Sequence, residues 1–520
     1  MTFGNVTQVA RAVSVCAALA GFGSASFAQD PPIPDRFKQL ANSEFKNDYP
    51  VPATTNSLLD ELYFQRAVMV YHWALPAVNM YAMKEGADKA YGQGYNVMSI
   101  WKKRLDAKTL ITTPNSDVIY GVGFLDVAKD GPMVIDAPPN LQAILDDYWQ
   151  RPIEGPTVDG RKYLGDVGQP GPDKGKGGKY LVLPPGYKGQ VPKGYYVYHS
   201  RTNGVFVFLR GFFDRPDNLG PAVKNMEGIK IYPLGKSASA KPMQFPDVSG
   251  IAVNMVPPPD GSYFDMLNRF IQSEVTDYPS SEYMRGVAAS IGIVKGQDFA
   301  PTPRQKEMLD LAARTAWKMA KVVATEQFPK MPGAKWYNNR QWWGHIRDGG
   351  KNFGKPIDDF NYMVPGADYI DIDPQLHMFI NYYAMSPGMG TSVPGVGSKY
   401  LVGAKDADGD YLVGDGNYTL TLPPNIPAKN FWSVTLYDPV TAAGLDNGQP
   451  FPSLNSRDNP VKNADGSTTL YFGPAAPAGK EKNWMKTVPG KGWFTLLRLY
   501  GPEKPFFDQA WVPGDFQKVR

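Results

Sequence analysis

The sequence predicts an α+β fold, mainly β, with two β-sandwich or jelly-roll-like domains joined by a helical connector. Three observations carry this. Short runs rich in β-branched and aromatic residues, bounded by Pro, Gly and Asn, occur in two blocks, one before residue 260 and one after residue 386. Between the blocks, apolar residues recur at helical spacing. Composition agrees: 48 Pro and 53 Gly among 520 residues favour turns and short strands, and 13% aromatic content suits sheets.

In chain order, residues 1–28 are a different kind of sequence. "VTQVARAVSVCAALAGFGSASFAQD" has one positive charge, Arg11, an apolar run from Ala12 to Ala20, and Ser26 and Ala28 in the −3 and −1 places before Gln29. That order of regions reads as a secretory signal peptide, so the protein is expected to be periplasmic or secreted. The single cysteine, Cys16, lies inside this leader, which leaves a mature chain without a thiol. No later stretch has the roughly 18 consecutive apolar residues of a membrane span.

Residues 29–260 form the expected N-terminal β-rich domain with a leading helix. Leu58, Leu62, Val68 and Tyr71 give the stretch from Ser57 to Met83 a helical period, and Pro76 should kink or break it. Then come "DVIYGVGFLDV", "GPMVIDAP", "KYLVLPP", "GYYVYHSR" and "GVFVFLRGF", all strand-like. The Gly-rich "GDVGQPGPDKGKGGKY" fails the phosphate-loop spacing and reads as a solvated hairpin loop. Residues 261–385 are the helical connector. Its clearest member starts with Thr302 as cap, Pro303 in the first turn and Gln305 completing a capping-box spacing; Met308, Leu311, Ala312 and Met319 give it one apolar face. "DPQLHMFINYYAM" is a second helix. Residues 386–520, after the Gly/Pro-rich "SPGMGTSVPGVG", return to short alternating strands.

The two β blocks carry recognisable motifs. "WALP", "TPNSDVIYGVGFLDV" and "GKYLVLPPGY" resemble domain of unknown function 1254. "DADGDYLVGDGNYTLTLP", "FWSVTLYD" and "LLRLYGPEKPFFDQAW" resemble domain of unknown function 1214. The resemblance implies a two-domain, β-sandwich-like architecture with a helical connector, often exported. It implies no activity.

The near balance of 54 basic and 50 acidic groups excludes the strong basic bias of a nucleic-acid partner. No zinc-protease or nucleophile-elbow spacing occurs, no motif requires a cofactor, and no metal ligand set is assigned. In "DADGDYLVGDGN" the sixth and twelfth places of a calcium loop hold Tyr411 and Asn417, so a strand–turn–strand reading is preferred to a metal site there. Asn115, Ser116 and Asp117 either form a turn through side-chain bonds to their own backbone or supply chemistry at a strand's start. For a catalytic pocket in the N-terminal domain the candidates are Asp117, Tyr120, His199 and Arg201, with His199 as general base. Asn115, Asn203, Arg210, Trp343 and His345 are candidate substrate-binding groups. His72 and His377 read as core histidines. Arg210 and Arg498, charges within apolar strands, are each expected to hold a carboxylate, with an anion clamp as the alternative for Arg210. Two functions stay open: a hydrolase acting on a small organic or saccharide substrate, or a non-catalytic envelope or carbohydrate-binding protein. The sequence leaves a homo-oligomer open.

Overall fold

The computed structural model describes residues 32–275, 281–344, 362, 369–390 and 392–519; the expected leader and His345 lie outside them. The chain divides into two compact units, residues 1–60 and 61–520. In the first, the described part holds a helix, Asp35–Ala41, and a small hairpin of Phe45–Lys46 with Tyr49–Pro50.

Of the kink or break expected at Pro76, the break does not occur: helix α1, Pro52–Tyr91, runs through it. Proline removes one backbone donor. Here Ala74, Leu75, Ala77 and Val78 around it are fully buried, and the Pro76 carbonyl accepts from Gln150 Nε2 at 2.7 Å, so tertiary packing holds the helix.

The first β unit is two sheets. In one, β1 (Ile119–Asp126), β2 (Gln142–Asp147) and β3 (Gly204–Gly211) associate with Ser99–Ile100 and Asp166–Gly168, β3 lying between β1 and β2. The other has six strands, including Gly178–Leu183 and Tyr196–His199. Ile119, Val205, Val207, Leu209 and Val182 pack between the two sheets. The register of β1 on β3 is unbroken from Ile119 to Asp126, so no bulge turns Tyr120 toward the face that Ile119 occupies. Tyr120, Val122, Phe206 and Phe208 therefore look the opposite way, into a core shared with the helices. The Gly-rich loop is only half solvated: Asp166, Val167, Gly168 and Asp173 are buried, because its first part is a strand of the five-stranded sheet.

The helices that follow in the chain include α2 (Ser262–Ser273), α3 (Pro303–Val322) and α4 (Ile372–Asn381). The capping box of Thr302 and Gln305 forms as its spacing predicts. The buried face of α3 differs from the expected one. Leu309, Ala312, Ala313, Ala316 and Ala320 face inward, while Leu311 and Met319 are exposed. A stripe of alanines lets neighbouring backbone approach closely, which outweighs the larger side chains one position away.

The second β unit repeats the two-sheet plan. β4 (Ser398–Gly403), β5 (Ala428–Tyr437) and β6 (Phe494–Pro502) belong to a five-stranded sheet with β6 central among them. A four-stranded sheet covers one of its faces through Leu420, Leu470, Val434 and Leu497. The other face, with Tyr437, Leu496 and Tyr500, joins the same central core as Tyr120 and Phe208. The fold is thus mixed α+β, with two β-rich sandwiches presenting one sheet face each to a common interior.

Candidate functional site

The Asn115-Ser116-Asp117 corner sits where the two β units meet. Asn115 Oδ1 accepts the Asp117 N–H at 2.8 Å, the local turn expected of this residue type, and its amide nitrogen donates to the Tyr500 hydroxyl. Asp117 is wholly buried. Its Oδ1 accepts from Arg104 Nη2 at 3.1 Å and Asn455 Nδ2 at 2.9 Å, and its Oδ2 accepts from Ser453 Oγ at 2.7 Å. Arg457 Nη2 donates to the Asp117 carbonyl at 2.9 Å while its guanidinium lies 3.6 Å from the Phe431 ring. Arg104 and Thr113 have left-handed φ values of 76° and 38°, a strain of about 1 kcal/mol or more each that the surrounding bonds must hold. With its oxygens engaged in this way, Asp117 lines neither of the two cavities below; the corner is a dock.

Beside the dock lies a small chamber of about 20 Å³. Tyr120, Phe208 and Arg210 enter it from the first β unit, Tyr400 and Arg498 from the second, and Tyr382 from the segment after α4. Burial pushes the phenols of Tyr120 and Tyr382 upward, so these hydroxyls stay protonated. Among the described residues, the carboxylates expected for Arg210 and Arg498 are not there. Both arginines project from the interior-facing sheet sides, where aromatic rings and hydroxyls stand in their place; Arg210 lies 5.3 Å from the Phe208 ring and Arg498 5.2 Å from the Tyr400 ring.

A much larger cavity, about 510 Å³, opens between α3, α4 and the second β unit. Its walls are aromatic: Trp317, Trp343, Tyr382, Tyr411, Trp493 and Phe494. Val440 (58% exposed) and Tyr411 (46%) stand at its rim, so solvent reaches it. Polar side chains converge, Thr325 and His377 among them. Lys321 Nζ donates to Asn381 Oδ1 at 3.1 Å and lies 5.7 Å from the Trp317 ring; across the cavity Asp438 accepts from Lys491 Nζ at 3.0 Å. Burial lowers the Lys321 pKa to about 7, with Asp438 opposing the shift, so a fraction of the amine is neutral near physiological pH. His377 also lines the cavity and stacks on Phe328 at 3.9 Å, while His72 Nε2 donates to the Ala316 carbonyl at 2.9 Å.

Residues 95–233 match the family model described as Protein of unknown function (DUF1254), and residues 397–504 match Protein of unknown function (DUF1214). The chain carries a DUF1254 domain followed by a DUF1214 domain. Among solved structures, it is similar to the VPA0106 protein from Vibrio parahaemolyticus at 18% identity and a TM-score of 0.48, covering 89% of this chain and 100% of that one. It is also similar to an uncharacterised protein from Burkholderia cenocepacia at 12% identity and a TM-score of 0.37, covering 93% of each chain. No curated protein matches the chain.

The four candidate catalytic residues all fall within the DUF1254 domain, but the structure does not bring them together. Tyr120 and Asp117 are buried on the side facing the DUF1214 domain. His199 is exposed on the six-stranded sheet, its strand paired with Gly178–Leu183 and, at His199 itself, with Glu154. Arg201 is half-buried in the following turn; Lys162, then Arg201 and His199, hold the Glu154 carboxyl below its usual range. Asn203 binds the end of α2, donating from its side chain to the Ser273 carbonyl at 2.9 Å and from its backbone to Glu274 at 2.6 Å. Arg210 lines the small chamber and Trp343 the large cavity; His345 lies outside the described residues. Asp406 Oδ1 accepts from the backbone of Asp408 and Asp410, the turn reading of that Asp-rich stretch. Sequence reasoning missed Lys321, Asn381 and Asp438. The spacing of Trp317 and Lys321, four apart on α3, was a weak signal, since such pairs usually face solvent.

Proposed function

We propose that this protein binds a flat, largely apolar small molecule in the cavity beside the DUF1214 domain, with Lys321 as the polar anchor. The observation that carries this reading is the cavity itself: about 510 Å³, solvent-reachable and aromatic-walled, with a few polar groups converging. That volume lies in the range of small-molecule sites, and an apolar wall with sparse polar anchors is their usual character. Of the two functions left open by the sequence, this takes binding over hydrolysis, because a hydrolase built on Asp117, Tyr120, His199 and Arg201 would need those groups to meet. A saccharide is the weaker ligand choice, since most of the lining is apolar and its many hydroxyls would want more donors and acceptors than the few polar side chains supply. The leader-like first 28 residues support action outside the cytoplasm, and no helix among the described residues is long and apolar enough to cross a membrane.

The test uses 1-anilinonaphthalene-8-sulfonate, a flat apolar probe with one anionic group. The folded protein should bind it saturably at one site, and Ala404→Trp, which fills the cavity from β4's end, should abolish binding without unfolding the chain. Equal affinity in that variant would place the probe elsewhere and defeat the proposal.

A further inference from the structure

The small chamber between the DUF1254 and DUF1214 domains has a charge imbalance that its own residues do not correct. The Arg210 side chain makes no hydrogen bond or ion pair with any described residue, and its buried Nε has no partner. Arg498 is 2% exposed. It donates only to neutral oxygens, Thr435 Oγ1 at 3.0 Å and the carbonyls of Thr113 and Pro114 at 3.2 and 3.4 Å, and its Nε is likewise without a partner. Among the described residues neither guanidinium has a carboxylate within ion-pair distance, whereas the buried Arg104 and Arg151 pair with Asp117 and Asp147. Guanidinium groups cannot shed their charge as a lysine can. Two of them facing one buried space are costly unless an anion joins them.

We propose that Arg210 and Arg498 together hold one halide ion, which bridges the two β units. Three features select that ligand. The space of about 20 Å³ admits one particle of roughly water size and excludes a carboxylate-bearing metabolite or a sulfate. Its lining offers the guanidinium groups of Arg210 and Arg498 and the Tyr120 hydroxyl, with no carboxylate among the lining residues to repel an anion. The arginines come from opposite β units, β3 and β6, so neutralising both at once also favours their docking. This site is separate from the ligand cavity, although Tyr382 lines both.

The experiment compares the full mature chain in halide-free sodium gluconate with the same protein titrated with sodium chloride or bromide at constant ionic strength. The thermal midpoint should rise saturably, by about 3 °C at a hundredfold excess over the dissociation constant. Sodium acetate should give no rise. Arg210→Met, which keeps the stem's packing, should lose the halide response. Because that variant could also fold poorly, a bromide-soaked crystal of the unaltered protein supplies the second reading: an anomalous peak between the two guanidinium groups. Identical midpoints in chloride and gluconate, a rise with acetate but not chloride, or no bromide peak between the arginines would each overturn the proposal.

Discussion

Replacing Asp117 by alanine should destabilise the protein strongly while leaving ligand binding by the folded molecules intact. The carboxylate is fully buried and holds Arg104, Ser453 and Asn455 at 3.1, 2.7 and 2.9 Å. Its loss strands Arg104 Nη2 in a site with 9% side-chain exposure. Breaking a buried pair in this way costs about 3–5 kcal/mol. For a unit running from Glu61 to Arg520, unfolding entropy of about 1 kcal/mol per kelvin turns that into a fall of about 3–5 °C in thermal midpoint. Asn115→Ala, losing its bonds to Asp117 N–H and the Tyr500 hydroxyl, should cost less, about 1–2 kcal/mol. The assay is thermal unfolding of wild type and both variants, with dye affinity measured per folded molecule. An unchanged midpoint for Asp117→Ala, together with lost affinity, would make the corner a ligand-binding group and refute the docking argument.

Other outcomes follow from titratable groups and the leader. Burial raises the carboxyls of Asp166 and Glu274 to about 7, so the stability they confer is full below about pH 4 and is lost as pH rises through 7. Denaturant midpoints across that window should fall more gently in Asp166→Asn and Glu274→Gln, by at most about 1.4 kcal/mol per pH unit for each group; an unaltered slope would count against their buried, protonated state. Lys321 runs the other way. Its folded pKa is depressed to about 7, so stability should rise from pH 7 toward the ordinary lysine value, and Lys321→Met should remove that rise. Protein made with its native first 28 residues should start at Gln29 by mass spectrometry, and a product retaining Met1 would remove the exported reading.

Local chemistry was legible in the sequence where one short stretch decides it. The capping box of Thr302 and Gln305 and the turn bond of Asn115 both formed as their spacing predicts, because each involves partners two or three residues apart. The alternation that sends Ile119 one way and Tyr120 the other was equally readable. What stayed hidden depends on partners far along the chain. The catalytic reading set Asp117 in one pocket with His199, but its partners Ser453 and Asn455 are more than 300 positions away and leave no periodic trace. Pro76 looked like a helix breaker because the burial of Ala74, Leu75, Ala77 and Val78 around it is a tertiary fact. Lys321 was unremarkable in a charged, amphipathic helix; only packing shows that its amine enters an aromatic cavity.

Competitive amine labelling at pH 7 with peptide mass mapping decides whether the large cavity is a ligand site anchored by Lys321. A partly neutral, solvent-reachable Lys321 should react ahead of the ordinary surface lysines, whose amines are almost wholly protonated at that pH, and saturating dye should protect it. Lys321 left unmodified, or modified equally with and without the dye, would contradict the account.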